Sequence, residues 1–261
     1  MELRWTSIFL ASLWLLFASS IDAKEPAGLH RSTQLLVVTT ADWDTVAGTL
    51  QRYERSNPGK KWKSVGSPID LVVAKKGLGW GSGVAEAAEL GLRNPLEPVK
   101  QEGDARAPAG LFRLSTAFGY AAEKPAEWKM PYISLTPTIE CVDDPHSKYY
   151  NRIVDRATVM PDWNSSEHML YSNGQYRWGL VIDHNADPVV PGAGSCIFMH
   201  IWLGTGEGTV GCTAMAQENV EPVIGWLDPA RNPLLLQLPR AKYKTVRRKW
   251  KLPTLPHAGG H

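Results

Sequence analysis

The sequence predicts a mainly β protein with a few helices, arranged as a sandwich or barrel of antiparallel and mixed strands. Three observations carry that expectation. Short runs rich in Val, Ile, Leu, Thr and aromatic residues recur along the chain, each bounded by Gly, Pro, Asn or Asp. No solenoid-length repeat and no low-complexity linker divides the chain, so one domain is expected over residues 24–239. Only three cysteines, Cys141, Cys196 and Cys212, occur in 261 residues. Disulfides are then too few to hold such a fold, which must rest on its core.

The chain opens on MELRWTSIFLASLWLLFASSIDA. A short polar start with Arg4, an apolar run from Ile8 to Ala18 and the small Ala23 are the layout of a secretory signal over residues 1–23. An uncleaved anchor helix competes with that reading, but the run is shorter than the roughly 20 residues a bilayer span needs. The expected location is the periplasm or cell envelope, with a soluble mature protein and no nucleic-acid partner.

Gln34 to Thr40, QLLVVTT, reads as a strand. Asp42 then opens DWDTVAGTLQRYERS, where Val46, Leu50 and Tyr53 recur at a helical period until Asn57-Pro58-Gly59 stops them, and this predicts a helix. Strands are expected at PIDLVVAKKG, AGLFRLSTAFG, YISLTPTIE, RWGLVIDHN and SCIFMHIWL. AQENVEPVIGWL predicts a second helix in spite of its proline, and NPLLLQLPR a late strand. From Arg240 the chain carries seven Lys or Arg and no acid. Residues 240–261 are therefore expected as a basic tail, either simply solvated or in electrostatic contact with an anionic envelope surface.

An odd cysteine count leaves a thiol free in an exported monomer. A disulfide, if one forms, is expected between Cys141 and Cys196; the alternative is two small buried side chains. Cys212 lies beyond a glycine-rich stretch, GTGEG, from His200. A symmetric hairpin centred on Gly206 would set His200 and Cys212 directly opposite, about 4.5–5.5 Å apart at Cβ. A neighbouring imidazole can take the thiol's proton and later return one to a leaving amine, and the amides of Gly211, Cys212 and Thr213 are candidates for an oxyanion hole. By themselves, a histidine and a cysteine twelve residues apart are more often a core histidine and a buried thiol than a catalytic pair. A zinc site lacks a close second ligand pair, since His184 adds only one scattered ligand, and neither metal nor cofactor is expected.

The stretch SCIFMHIWLGTGEGTVGCTAM resembles the catalytic motif of the L,D-transpeptidases, the YkuD-type catalytic domain, in which a strand histidine precedes a Ser/Thr-X-Gly-Cys sequence. Thr209-Val210-Gly211-Cys212 fits that ending. GLGWG, PVKQEGDARAPAGLFRL, CVDDPHSKYYNRIVD and YRWGLVIDHN are similar to successive blocks of one branch of the family. The resemblance implies a β-rich catalytic domain that acts on peptidoglycan stem peptides, with Cys212 as nucleophile and His200 as general base and acid. It also implies a histidine oriented by a backbone carbonyl rather than by a carboxylate. Many members carry a histidine and an arginine where this chain has Val210 and Ala214, so a side chain for a stem carboxylate is missing. Arg106 or Arg152 could supply that charge, or be ordinary surface arginines. Trp80, Tyr150, Asn151 and His184 are further candidates to line the substrate cleft, while Asp104 is expected to anchor a turn. The expected reaction is acyl transfer to an amine; hydrolysis of the same bond and a non-catalytic wall-binding module are the alternatives.

Overall fold

A computed structural model describes residues 25–84 and 92–256. The expected signal segment, residues 1–23, lies outside the described residues. The sheet begins with β1 (Gln34–Thr40), β2 (Ala47–Glu54) and β3 (Lys63–Val72) in antiparallel succession. A short helix, α1 (Ala27–Arg31), precedes them, and β4 (Leu78–Trp80) follows. The long β5 (Ala107–Gly119), β10 (Trp178–Ile182), β11 (Phe198–Ile201), β12 (Thr213–Met215) and β13 (Leu234–Pro239) complete the main sheet. Because β10 pairs with β5 and β13 pairs with β1, the order β1-β2-β3-β12-β11-β10-β5-β13 closes into an eight-stranded barrel. β4 and β6 (Tyr132–Ser134) attach to β5 outside the ring.

Closure leaves no free edge along the ring and gives the chain an inside to fill. Leu36, Val38, Leu50, Leu111, Met199, Met215 and Leu236 belong to the large apolar cluster of the main core. Its polar members pair with one another: Thr213 Oγ1 donates to Gln237 Oε1 at 2.8 Å, and Gln237 Nε2 donates to the Pro108 carbonyl at 2.8 Å. The helix α2 (Gln217–Trp226) buries Val220, Val223 and Ile224 against this core and keeps its internal Pro222.

Outside the barrel lies a second layer. There β7 (Ile139–Val142) pairs with β8 (Ile153–Asp155) and with β9 (Ser166–His168) in a separate three-stranded sheet. A smaller apolar cluster of Phe118, Leu135, Cys141, Met169, Tyr176, Cys196, Phe198 and Cys212 joins the two layers. Cys141 and Cys196 form a disulfide with their Cα atoms 5.9 Å apart, stitching the outer sheet to the chain entering β11.

Three expectations are corrected. The helix expected from Asp42 is instead a turn and the strand β2. Asp42 Oδ1 accepts from the amides of Asp44 and Thr45, as a helix cap would, but the same bonding also stabilises a turn. Ala47 to Glu54 then pairs on both sides, and the cross-strand partners outweigh a local helical period. The segment from Arg240 is not merely a solvated tail. It begins as α3 (Arg240–Arg247), and Tyr243, Val246, Trp250 and Leu252 are buried in the main core, so the domain runs past residue 239. The third correction concerns the hairpin about Gly206. β11 and β12 are neighbours but run parallel, because the returning chain docks first beside the end of β3. There Thr209 N–H donates to Val73 O at 3.1 Å and Lys75 N–H donates to Thr209 O at 2.8 Å.

Candidate active site

Parallel pairing changes how His200 and Cys212 meet. Met199 sits beside Thr213 and His200 beside Ala214. Aligned strand residues share a face, so one step back in register brings Cys212 level with Phe198, on the outer face that also carries His200. The two are diagonal neighbours, about 7–8 Å apart at Cβ by ordinary sheet spacing, within reach of an imidazole. No hydrogen bond joins them among the described residues. Instead the Cys212 thiol donates to the Cys196 carbonyl at 3.6 Å, and its sulfur accepts the Phe198 amide at 3.3 Å. Burial pushes this free thiol up to about 12, with the Glu167 carboxylate adding to the rise.

His200 is fully enclosed, and burial lowers its imidazole to about 4. Its Nδ1 lies 2.8 Å from the Ile201 carbonyl. A carbonyl can only accept, so Nδ1 carries the hydrogen and Nε2 the lone pair. Near neutrality both partners are therefore uncharged, a thiol and a neutral imidazole. The Tyr176 ring packs edge-on against His200 with ring centres 5.1 Å apart. The Tyr176 hydroxyl stands close enough to the Cys212 thiol to lower its pKa, and it donates to Glu167 Oε1 at 2.6 Å.

Cys212 opens on a cleft of about 380 Å³. Gly211, Val210 and Ile197 line the cleft together with Cys212, while Lys100, Glu102, Asp143 and Glu167 bring charge to the walls. Lys100 Nζ is held by Asp104 Oδ1 at 2.6 Å, and Asp104 also accepts the amides of Gln101 and Arg106, so it anchors its turn as expected. Of the three amides expected to form an oxyanion hole, that of Gly211 already donates to Thr209 Oγ1 at 3.2 Å. Those of Cys212 and Thr213 complete the expected set.

None of the six expected substrate-binding side chains lines this cleft. Trp80 is buried in the main core, donates to Glu97 at 2.7 Å and packs on Trp43. Arg106 is committed to Asp44 Oδ1 at 2.7 Å and to the carbonyls of Trp43 and Leu78. Arg152 is exposed and is not among the residues lining the cleft. Tyr150 donates to Glu102, a wall residue, and so acts on the cleft from behind. Asn151 Nδ2 donates to the carbonyls of His184 and Asn185, while its Oδ1 accepts the Cys196 amide at 2.9 Å. His184 faces the carbonyls of Ser82 and Ala193 and braces two loops. All six belong to the motif blocks, and the same blocks supply other residues to the walls, namely Lys100, Glu102 and Asp143. Asp143 and Tyr176 lie within the quoted blocks CVDDPHSKYYNRIVD and YRWGLVIDHN and Glu167 lies outside them, but none has a catalytic spacing, and the three converge only when the outer sheet folds onto the barrel. Among the described residues no cluster of His, Cys, Asp or Glu is arranged to hold a metal ion, and no helix is long and apolar enough to cross a membrane.

Fold and site together define a closed, mainly β barrel with one free buried thiol at the floor of a charged cleft. No family model, no curated protein and no solved structure matches the chain.

Proposed function

We propose that the protein is an exported cysteine acyltransferase of the L,D-transpeptidase type, acting on peptidoglycan stem peptides. The observation that carries this reading is the free thiol of Cys212 at the cleft, on the same sheet face as an imidazole whose Nδ1 is tied to a backbone carbonyl. That is the carbonyl-oriented histidine and Thr-X-Gly-Cys thiol of the family the motif resembles.

The chemistry follows from the resting charges. With the cleft filled by a donor stem, the Cys212 proton passes to His200 Nε2 and the sulfur adds to the carbonyl carbon of an L,D-amide. The amides expected as an oxyanion hole, those of Cys212 and Thr213, are assigned to the oxygen that gains charge. The C–N bond breaks, the leaving amine takes the proton from His200, and an acyl thioester remains. An acceptor amine then attacks the thioester, gives its proton to Nε2 and releases the sulfur, which regains a proton. Burial of both partners as neutral groups keeps the thiol protonated until this transfer. Ala214, fully buried beside His200, provides no cation for a stem carboxylate, so donor binding rests on the cleft walls. Exposed Lys244, Arg248 and Lys251 supply charge for contact with an anionic envelope surface.

Incubation of purified protein with tetrapeptide-stem muropeptides, followed by mass analysis, tests the reading. Cross-linked dimers support transfer, shortened stems alone mean hydrolysis, and no product together with no carbapenem adduct on Cys212 means a non-catalytic module.

A further inference from the structure

Glu167 has no part in the reaction just described, yet it is tied to the thiol through a tyrosine. It stands on β9, paired with Cys141 across the outer sheet, and lines the cleft beside Cys212. Its Oε1 accepts two phenolic hydrogens, from Tyr176 at 2.6 Å and from Tyr171 at 3.2 Å. Tyr176 is enclosed by Phe118, Phe198, Tyr171 and His200, which fix its ring and leave only the hydroxyl hydrogen free to turn.

A phenol has a single hydrogen to donate, and Tyr176 has two neighbours that can receive it. While Glu167 is ionised, its carboxylate takes that hydrogen, and its charge opposes a thiolate on Cys212. A protonated Glu167 can instead donate to the Tyr176 oxygen, which turns the phenolic hydrogen toward the sulfur. Glu167 takes up one proton from solvent when this happens, and the hydrogen bonds of the relay reverse direction.

From this geometry we infer that Glu167 is a positioning residue that gates the reactivity of Cys212 through Tyr176, open when its carboxyl is protonated and closed when it is ionised. Burial raises the Glu167 carboxyl, the hydrogen bonds from Tyr176 and Tyr171 lower it, and Asp143 raises it further. Lys100 and Glu102 are the other charged groups on the walls of the cleft. Because the carboxyl is raised, the open form persists to higher pH than for an ordinary glutamate. The inference concerns the thiol alone and stands apart from the transpeptidase reading, since its test uses no stem peptide.

The test is the rate at which iodoacetamide alkylates Cys212 in the intact disulfide-bonded protein, followed by mass from pH 5 to 8. In Glu167→Gln the amide donates to the Tyr176 oxygen at every pH, so the rate at pH 7.5 is expected to rise about tenfold, as suits one extra charge-assisted hydrogen bond. In Tyr176→Phe the same Glu167→Gln change is expected to have less than a twofold effect. Tyr171→Phe, at a partly exposed position, removes one donor from the carboxylate. It is expected to keep the open form to higher pH, and it tests the gate should Glu167→Gln not fold. An unchanged or slower rate in Glu167→Gln, an equal gain in the Tyr176→Phe background, or a pH profile unmoved by Tyr171→Phe overturns the inference.

Discussion

His184 and His200 are 2% and 3% exposed, and burial lowers both imidazoles to about 4. The two regions nonetheless treat the ring differently. At His184 each nitrogen faces a carbonyl, Ser82 O at 3.2 Å and Ala193 O at 2.9 Å. Gly81 and Gly194 press so close that a Cβ at either would come within 2.9 Å of a ring nitrogen. At His200 only Nδ1 is engaged, and Nε2 is left with a lone pair on the face that carries Cys212. Burial and a depressed pKa therefore do not distinguish a brace from a base. The unused nitrogen is what suits His200 to the proposed role of base.

The comparison breaks most sharply if the thiol is not where chemistry happens. Cys212→Ala is expected to abolish the acyl-enzyme and lower product formation by on the order of a thousandfold or more, read as adduct mass and turnover. Stability should change little beside that loss.

A second test exchanges the two histidines. His200→Ala is expected to slow acylation of Cys212 by about 10²–10⁴-fold, the usual contribution of a positioned base. His184→Ala should leave the rate within a few-fold but cost roughly 2–4 kcal/mol of stability, by opening a cavity and leaving one carbonyl without its N–H donor. Denaturant midpoints and acylation rates on both variants decide it, and a reversed pattern would exchange the roles.

Acid should strike both regions alike. Each folded imidazole titrates below its ordinary value near 6.5, so the unfolded chain binds more protons across that interval. Stability is then full above about pH 6.5 and falls as pH drops toward about 4, by on the order of 3 kcal/mol per histidine. Thermal melts between pH 4 and 7 measure the slope, which should halve in His184→Ala.

The smallest expected effect is at the link between the regions. Asn151 ties the His184 and Asn185 carbonyls to the Cys196 amide, and Cys196 in turn accepts the thiol of Cys212. Its φ of 60° favours Asn or Gly, so Asn151→Gly keeps the backbone and removes only the bonds. About 1–3 kcal/mol of stability should be lost, with a several-fold change in thiol alkylation if the Cys196 carbonyl shifts.

The strand runs were legible because alternation and turn residues act locally. QLLVVTT, AGLFRLSTAFG and NPLLLQLPR became β1, β5 and β13, and AQENVEPVIGWL became α2. The pairing of Cys141 with Cys196 and the singular status of Cys212 were within reach of cysteine counting. The segment 42–56 misled because Val46, Leu50 and Tyr53 fit a helix, while the pairing that makes it β2 lies in β1 and β3. The hairpin misled because symmetry about Gly206 says nothing of Val73 and Lys75, which capture Thr209 and turn an antiparallel return into a parallel one.

By itself, then, the sequence determined where most of the main strands and α2 lie, and that an odd cysteine count leaves a thiol free in a monomer. These follow from residue types and short spacings. Only the tertiary structure decided that the strands close into a barrel, that His200 and Cys212 meet diagonally, and that Glu167 and Tyr176 stand beside the thiol. The physical reason is that these arrangements are contacts between residues distant along the chain. Their energy comes from burying one layer against another, and no local pattern encodes which partner will be there.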